Sequence, residues 1–157
     1  MPTGASQAGS GNYTSLPRWK DDAPLFPANE SYSTDFFGDL AVAAVESHPS
    51  DAPLSLYLPW QCVHTPITQP PACESSTTGT CEDPLRSMLF AADEQTASLV
   101  AALNEKAMWD STLFIYSADN GGVDDLSTGN NYPLRGEKHT NWDGGMRVTA
   151  FISGGFL

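Results

Sequence analysis

The chain has 157 residues, enough for one hydrophobic core of ordinary domain size. Nineteen acidic residues against seven basic ones give a net charge of -12, which argues against binding to nucleic acid or to an anionic membrane surface. No apolar run of about 18 residues occurs, so we expect no membrane span, and the start of the chain lacks the basic and apolar regions of a signal peptide.

The first part of the chain shows no regular apolar spacing. Residues 1–30 are rich in Gly, Ser, Pro and Ala and are predicted to form a loop or tail before a domain at residues 31–157. Thr34 is a candidate cap for a helix that proline stops at His48–Pro49. The apolar face of this helix is predicted to comprise Phe36, Phe37, Leu40, Ala44 and Val45.

Two strands and a second helix follow at separations typical of an α/β protein. Leu54–Leu58 is an apolar run that predicts a strand covered on both faces. Asp83 followed by Pro84 predicts the start of a long helix that continues to about Leu103. Further strands are predicted at Leu113–Tyr116 and Val148–Ile152. This order of elements indicates a predominantly parallel, mixed sheet with helices on both faces.

The chemistry is concentrated between Ser117 and Arg147. Asp119 and Asn120 come directly after a predicted strand, at the edge where α/β proteins bind ligands. A carboxylate beside an amide carbonyl offers two oxygen ligands suited to Ca²⁺ or Mg²⁺, and the glycines that follow allow close backbone approach. Asp, Asn and Gly are also common turn residues, so this segment taken alone is more typical of a simple turn.

Neighbouring segments favour the functional interpretation. Pro133–Lys138 (PLRGEK) and Trp142–Arg147 (WDGGMR) follow Asp119 at a spacing that resembles the formylglycine-dependent sulfatases, most closely the arylsulfatase B-like branch. Upstream, Trp60–Pro66 (WQCVHTP) and Tyr32–Phe37 (YSTDFF) also resemble segments of that family, in the same order. The resemblance implies an alkaline-phosphatase-like sulfatase sandwich, here incomplete.

The same resemblance assigns roles to five residues. It implies hydrolysis of a sulfate monoester, either an aryl sulfate or a sulfated glycan, at a Ca²⁺-assisted site. Asp119 and Asn120 would supply part of the Ca²⁺ shell, and Lys138 would bind sulfate oxygens and the leaving oxygen. His64 would donate a hydrogen bond to the sulfate or protonate the leaving group. Arg135 would order the loop by hydrogen bonding to its carbonyls or to Asp119.

One central part of the family pattern is missing. The Cys-x-Pro/Ala-x-Arg motif that yields the formylglycine nucleophile does not occur, and the aspartate pair near the family's amino end is also absent. The chain is therefore expected to be an interior fragment of the catalytic domain and inactive alone, with formylglycine in the missing amino-terminal part. The alternative is a non-catalytic, sulfatase-like module that binds sulfated ligands through His64 and Lys138. A phosphatase of the same superfamily is disfavoured, because Asn120 stands where its two-zinc site tends to use His.

Cysteines and glycosylation signals bear on the compartment. Cys73 and Cys81 could close a small polar loop as a disulfide, whereas Cys62 is interpreted as a small buried apolar residue. Asn12 and Asn29 begin Asn-x-Ser/Thr sequons, which permit glycosylation in a secreted glycoprotein. By resemblance, the parent protein is expected in a secretory, lysosomal or extracellular location.

Overall fold

The computed structural model of the chain describes residues 18–25, 32–71, 83–123 and 129–157. It contains two compact units, Met1–Ala102 and Leu103–Leu157. None of the helices found in those ranges is both long enough and apolar enough to cross a bilayer. Cys73, Cys81, Asn12 and Asn29, and with them the predicted disulfide and sequons, lie outside the described residues.

The first unit begins, within the described residues, with a short hairpin. β1 (Arg18–Lys20) pairs antiparallel with β2 (Ala23–Leu25), and Lys20 lies opposite Ala23. Asp21 makes the turn with a positive φ of 54°, a conformation that Asp tolerates better than most residues. A hairpin therefore occupies part of the segment that was expected to be a loop or tail.

The first helix, α1 (Ser33–Ser47), forms where the sequence predicts it. Its buried side shares only Val45 with the predicted face: Thr34, Gly38, Ala41 and Val45 are buried, whereas Leu40 is 42% exposed. Thr34 does not cap the helix, since the N-cap position belongs to Tyr32 and has no side-chain cap. The second helix approaches α1 closely at Gly38. A Cβ at Gly38 would overlap the Gln95 side chain.

The second helix, α2 (Pro84–Glu105), begins at the predicted cap. The Asp83 carboxylate accepts the Leu85 N–H at 2.9 Å, and the Asp83 carbonyl accepts the Ser87 N–H at 2.9 Å. The first bond satisfies an amide that has no partner inside the helix, and the second is the first backbone bond of the helix itself. The buried apolar residues of α2 recur at helical spacing, and the helix therefore supplies most of the described core. They are Met88, Ala91, Ala92, Leu99, Ala102 and Leu103.

The prediction of a sheet strand at Leu54–Leu58 is wrong. Residues 53–62 have no helix or strand assignment, and no backbone hydrogen bond places them in either described sheet. Tyr57 is 87% exposed and Leu56 is 42% exposed. An apolar run can form a strand only where another strand offers its backbone, and the described residues place none beside this run.

The second unit is built on one antiparallel pair. β3 (Phe114–Ser117) lies beside β4 (Ala150–Ser153), with Phe114 opposite Ser153 and Ser117 opposite Ala150. Tyr116 and Phe151 stack across the pair with ring centroids 5.1 Å apart. A 3₁₀ turn at Trp109–Ser111 leads into β3, and the short helix α3 (Asp143–Met146) precedes β4.

The α/β class is confirmed, but both described sheets are antiparallel, which corrects the expected parallel pairing. The reason is the connection between β3 and β4. A parallel neighbour needs a crossover that returns the chain to the start of β3. Here the chain instead returns to the same end of β3, where the Ala118 N–H donates to the Thr149 carbonyl at 3.0 Å. The loop that carries the candidate chemistry is thus closed at its base by the strand pair.

Candidate functional site

Asp119 and Asn120 lie just beyond the carboxyl end of β3, as the sequence predicts. The Asp119 side chain is exposed and that of Asn120 is half-buried. The Asn120 amide nitrogen donates to the Gly121 carbonyl at 2.9 Å. This bond uses the nitrogen, so the oxygen, which is the atom that a cation would bind, is directed away from that carbonyl.

The backbone brings Lys138 to the same segment. The Lys138 N–H donates to the Gly122 carbonyl at 3.0 Å. Gly122 is only two residues after Asn120 in the sequence. Gly136 makes the turn that precedes Lys138, with a φ of 86° that favours glycine. Asp119, Asn120 and Lys138, which are predicted from separate motifs, therefore belong to two segments that are hydrogen bonded to each other.

A third segment joins these two. The Gly121 N–H donates to the Gly145 carbonyl at 3.0 Å, and the Gly144 N–H donates to the Arg135 carbonyl at 2.8 Å. Gly144 and Gly145 are buried, and a Cβ at Gly121 would overlap the Gly144 carbonyl. The glycines of the sequence motif thus allow three backbone segments to touch at points where a side chain would overlap a neighbour.

Arg135 makes a contact that was not among those predicted. Its guanidinium lies 3.7 Å from the centroid of the Trp142 ring, which is a cation–π arrangement. Its carbonyl accepts the bond from Gly144 described above. Both contacts join the Pro133–Lys138 segment to the Trp142–Gly145 segment. Arg135 therefore lies where it can order the loop, by stacking as well as through its backbone.

Two residues of this loop were missed by the sequence analysis. The Asn131 side chain bonds to the backbone of Gly122 and Gly136. The Thr140 hydroxyl donates to the Glu137 carbonyl at 2.7 Å and accepts the Glu137 N–H at 3.1 Å. The available signal was an Asn and a Thr flanking the Leu-Arg-Gly-x-Lys pattern. Because both residue types are common in loops, their partners become apparent only in three dimensions.

His64 belongs to the first unit and is described by itself. It is exposed and follows the unpaired apolar run. Its Nδ1 lies 2.7 Å from the Thr65 carbonyl, and because a carbonyl can only accept, Nδ1 carries the proton. Nε2 is then the nitrogen through which a protonated His64 could donate to a ligand.

Cys62 is a free cysteine, two residues before His64, and is half-buried. Burial raises the pKa of its thiol. A raised pKa disfavours the thiolate, which is the nucleophilic form. Cys62 is therefore poorly suited to act as a nucleophile, in agreement with the failure of its flanking residues to match the family's nucleophile motif.

The chemistry of the donors fits part of a calcium site. Asp119 and Asn120 provide a carboxylate and an amide oxygen, which are the oxygen types that Ca²⁺ takes in a shell of about six to eight. Across residues 18–25, 32–71, 83–123 and 129–157, no group of three or more His, Cys, Asp or Glu side chains is arranged to hold a metal. Within those ranges, Asp119 and Asn120 are two oxygen donors of this type, fewer than a complete Ca²⁺ shell needs.

Comparison with known proteins identifies the family. The Sulfatase family model matches residues 4–155, nearly the whole chain. The chain is 32% identical over 135 residues to arylsulfatase J of Mus musculus, an alignment that covers 84% of this chain and 22% of that protein. It is 25% identical over 154 residues to the uncharacterized sulfatase YdeN of Escherichia coli (strain K12), which covers 95% of this chain and 27% of that protein.

Solved structures agree with the sequence relatives. The crystal structure of Ps i-CgsB in complex with k-i-k-neocarrahexaose superposes with a TM-score of 0.72 and 27% identity, over 87% of this chain and 31% of that one. A second crystal structure of Ps i-CgsB gives a TM-score of 0.70. The chain thus spans between about a fifth and a third of the length of these proteins. With the fold, the family model and these relatives in agreement, the chain belongs to the sulfatase family.

Proposed function

We propose that this chain carries the carboxyl-terminal half of a sulfuric ester hydrolase site, which acts on sulfate monoesters with the help of Ca²⁺. The observation that carries the proposal is the hydrogen bond from the Lys138 N–H to the Gly122 carbonyl. It ties a lysine to the segment that bears a carboxylate and an amide oxygen. Sulfatase family membership supports this reading of the residues.

The reaction explains why these residue types are needed together. In hydrolysis of a sulfate monoester, a nucleophile attacks sulfur, the bond between sulfur and the ester oxygen breaks, and the leaving oxygen takes up a proton. The sulfate oxygens carry negative charge throughout, so preorganised positive groups lower the barrier. The Lys138 ammonium is suited to the sulfate and leaving oxygens. His64 in its protonated form is suited to donate the proton from Nε2.

Asp119 and Asn120 would hold one side of the cation. When bound, Ca²⁺ supplies charge stabilisation for the sulfate group. The nucleophile is proposed to be a formylglycine outside this sequence, because no Cys or Ser here has the required motif. As a consequence, we expect the 157-residue chain alone to bind Ca²⁺ weakly and to hydrolyse no sulfate ester.

The substrate class is a sulfate ester of an aryl alcohol or of a glycan. Ps i-CgsB has been crystallised with k-i-k-neocarrahexaose, and this neighbour supports the glycan ester. The net charge of -12 offers no long-range attraction to a polyanionic glycan. Recognition is therefore proposed to rest on local contacts with a single sulfate group.

The test is an NMR titration of the purified chain, first with CaCl₂ and then with sodium sulfate. We expect Ca²⁺ to shift the amide signals of Asp119 and Asn120, and sulfate to shift that of Lys138, with affinities on the order of millimolar for such a partial site. Lys138→Ala should abolish the sulfate response. Lys106→Ala is the matched control. It removes the same charge at a position before β3, outside the segments that carry the candidate site. Asp119→Asn and Asp110→Asn form the corresponding pair for Ca²⁺.

Two results would contradict the proposal. A sulfate response that Lys138→Ala and Lys106→Ala change equally would remove Lys138 from the site. Turnover of 4-nitrophenyl sulfate by the chain alone, abolished by Lys138→Ala, would show that the nucleophile lies within it. Binding of a sulfated glycan far more tightly than free sulfate, without turnover and dependent on His64 and Lys138, would instead favour the non-catalytic module.

A further inference from the structure

The Asn131 side chain makes three hydrogen bonds, and all of them go to the backbone of the two site segments. Its oxygen accepts the Gly122 N–H at 2.9 Å. Its nitrogen donates to the Gly122 carbonyl at 3.0 Å and to the Gly136 carbonyl at 3.3 Å. A backbone N–H can pair only with the side-chain oxygen of Asn131, and a backbone carbonyl can pair only with its side-chain nitrogen. These partners therefore determine the orientation of the Asn131 amide.

The Gly122 carbonyl is the junction of this network. It accepts one bond from the Asn131 nitrogen and another from the Lys138 N–H, so both of its lone pairs have a donor. Asn131 thus holds the acceptor to which Lys138 is attached. Through Gly136 it also holds the turn that leads to Lys138. Gly122 is at the same time two residues from Asn120, so one side chain touches the backbone on both sides of the candidate site.

We propose that Asn131 is a positioning residue that fixes the Lys138 segment on the Asp119–Asn120 segment. The consequence of this positioning for sulfate binding rests on the function proposed above. Asn131 does not act on the substrate itself. It acts through Lys138, by keeping the base of that side chain at a constant place relative to the two oxygen donors.

The chemistry of the contact requires an amide of this length. Aspartate would keep the acceptor for the Gly122 N–H but would lose both donors and place negative charge against two carbonyl oxygens. Alanine would remove all three bonds. The neighbouring Asn130 provides a matched control, because its oxygen accepts the Tyr132 N–H at 2.9 Å within its own turn, a bond that does not involve Gly122 or Gly136.

The first experiment needs no ligand. Hydrogen exchange of the Lys138 amide, followed by NMR in the intact chain, reports whether its bond to Gly122 is held. We expect Asn131→Ala and Asn131→Asp to speed this exchange by about tenfold, equivalent to losing one or two net hydrogen bonds. Asn130→Ala should leave it unchanged. Exchange of amides in β3 and β4 shows whether the second unit remains folded in each variant. Unchanged Lys138 exchange in both folded Asn131 variants would overturn the proposal.

The second experiment measures sulfate affinity in the presence of Ca²⁺. Asn131→Ala should weaken sulfate binding by about tenfold, since the lost bonds no longer hold Lys138 in place. In the Lys138→Ala background, any sulfate binding that remains should not fall further on Asn131→Ala, because Asn131 acts through that lysine. An equal loss in both backgrounds would overturn this part of the proposal. Failure of the wild-type chain to show any Lys138-dependent sulfate response would contradict the proposed function instead. The hydrogen exchange of the Lys138 amide would still test whether Asn131 positions the Lys138 segment.

Discussion

At the scale of single residues, the candidate site combines exposed chemical groups with a tightly bonded backbone. Asp119 is exposed, and its backbone neighbours Gly121 and Gly122 are each held by hydrogen bonds to other segments. Burial raises the pKa of Asp35, near the start of α1, and that of Cys62. These shifts arise from burial and can be tested independently of any ligand.

Cys62 should react slowly with thiol reagents. Burial raises its pKa, so at a given pH a smaller fraction is thiolate than in the unfolded chain. In a Cys73→Ser/Cys81→Ser variant, where Cys62 is the sole thiol, we expect the midpoint of the pH–rate profile with an aromatic disulfide reagent to lie higher in the folded chain than in urea. Coincident midpoints would contradict the shift. A lower maximal rate alone would report only restricted access.

Asp35 should make the folded state less stable as pH rises. Burial, with a contribution from Asp39, raises its pKa, and Gln95 donates a hydrogen bond to it at 3.3 Å. The folded state therefore binds more protons than the unfolded state in the window above the usual Asp pKa. Its contribution is most favourable below that value and is lost as pH rises through the folded pKa.

The measurement is the free energy of unfolding in urea between about pH 4 and pH 7, with Asp35→Asn compared with the wild-type chain. The variant keeps an oxygen for Gln95, and its stability relative to the wild type should increase as pH rises. Asp93→Asn, at an exposed position on α2, is the control. A difference between Asp35→Asn and wild type that stays constant with pH would refute the prediction.

At the scale of elements, glycine has two different roles. In α1, Gly38 provides room for the flexible end of Gln95, which can move. In the site loop, Gly121 lies against the Gly144 carbonyl, which is backbone held by its own hydrogen bonds. The same substitution should therefore have different consequences at the two positions.

Gly121→Ala should destabilise the second unit by about 2 kcal/mol, within the range for overpacking against an immobile neighbour. Gly38→Ala should be close to neutral, because the gain in helix propensity of about 1 kcal/mol offsets the displacement of Gln95. Thermal unfolding of both variants, monitored by amide signals in each unit, makes the comparison. A Gly121→Ala chain as stable as wild type would mean that the site segments are not tightly packed.

At the scale of the whole molecule, apolar surface is exposed although the chain is strongly charged. Ile115 and Ile152 are directly opposite each other on β3 and β4 and are 63% and 58% exposed. Such contiguous apolar surface favours association. A net charge of -12 opposes it, because copies repel each other at low ionic strength.

Salt should therefore promote self-association. Raising the salt concentration to about 1 M shortens the screening length to about 3 Å and removes the repulsion, while the apolar attraction remains. Sedimentation velocity should show larger species at high salt. They should diminish in an Ile115→Thr/Ile152→Thr variant, whereas Ser117→Thr, on the same strand, should behave as wild type. Association that falls with salt would indicate that charge pairs, not apolar contacts, drive it.

Local features of the sequence were sufficient for several conclusions. The spacing of apolar residues and the Asp83 cap predict α1 and α2, because helical hydrogen bonds join residues four apart. A β-branched and aromatic run predicts β3 to within one residue at each end. The motifs around Asp119, Lys138 and His64 identify the sulfatase family, since they depend on residue type and order alone.

Other features depend on partners distant in sequence, and only the tertiary structure decided them. The buried face of α1 includes Gly38, which lies against Gln95, and not Leu40, one of the large apolar residues predicted for it. Leu54–Leu58 lies outside both described sheets, and β3 pairs antiparallel with β4. The hydrogen bonds of Asn131 bring Gly122 and Gly136 together from separate motifs. A strand pair, a close approach and a shared carbonyl are relations between segments, and local sequence cannot specify which segments will meet.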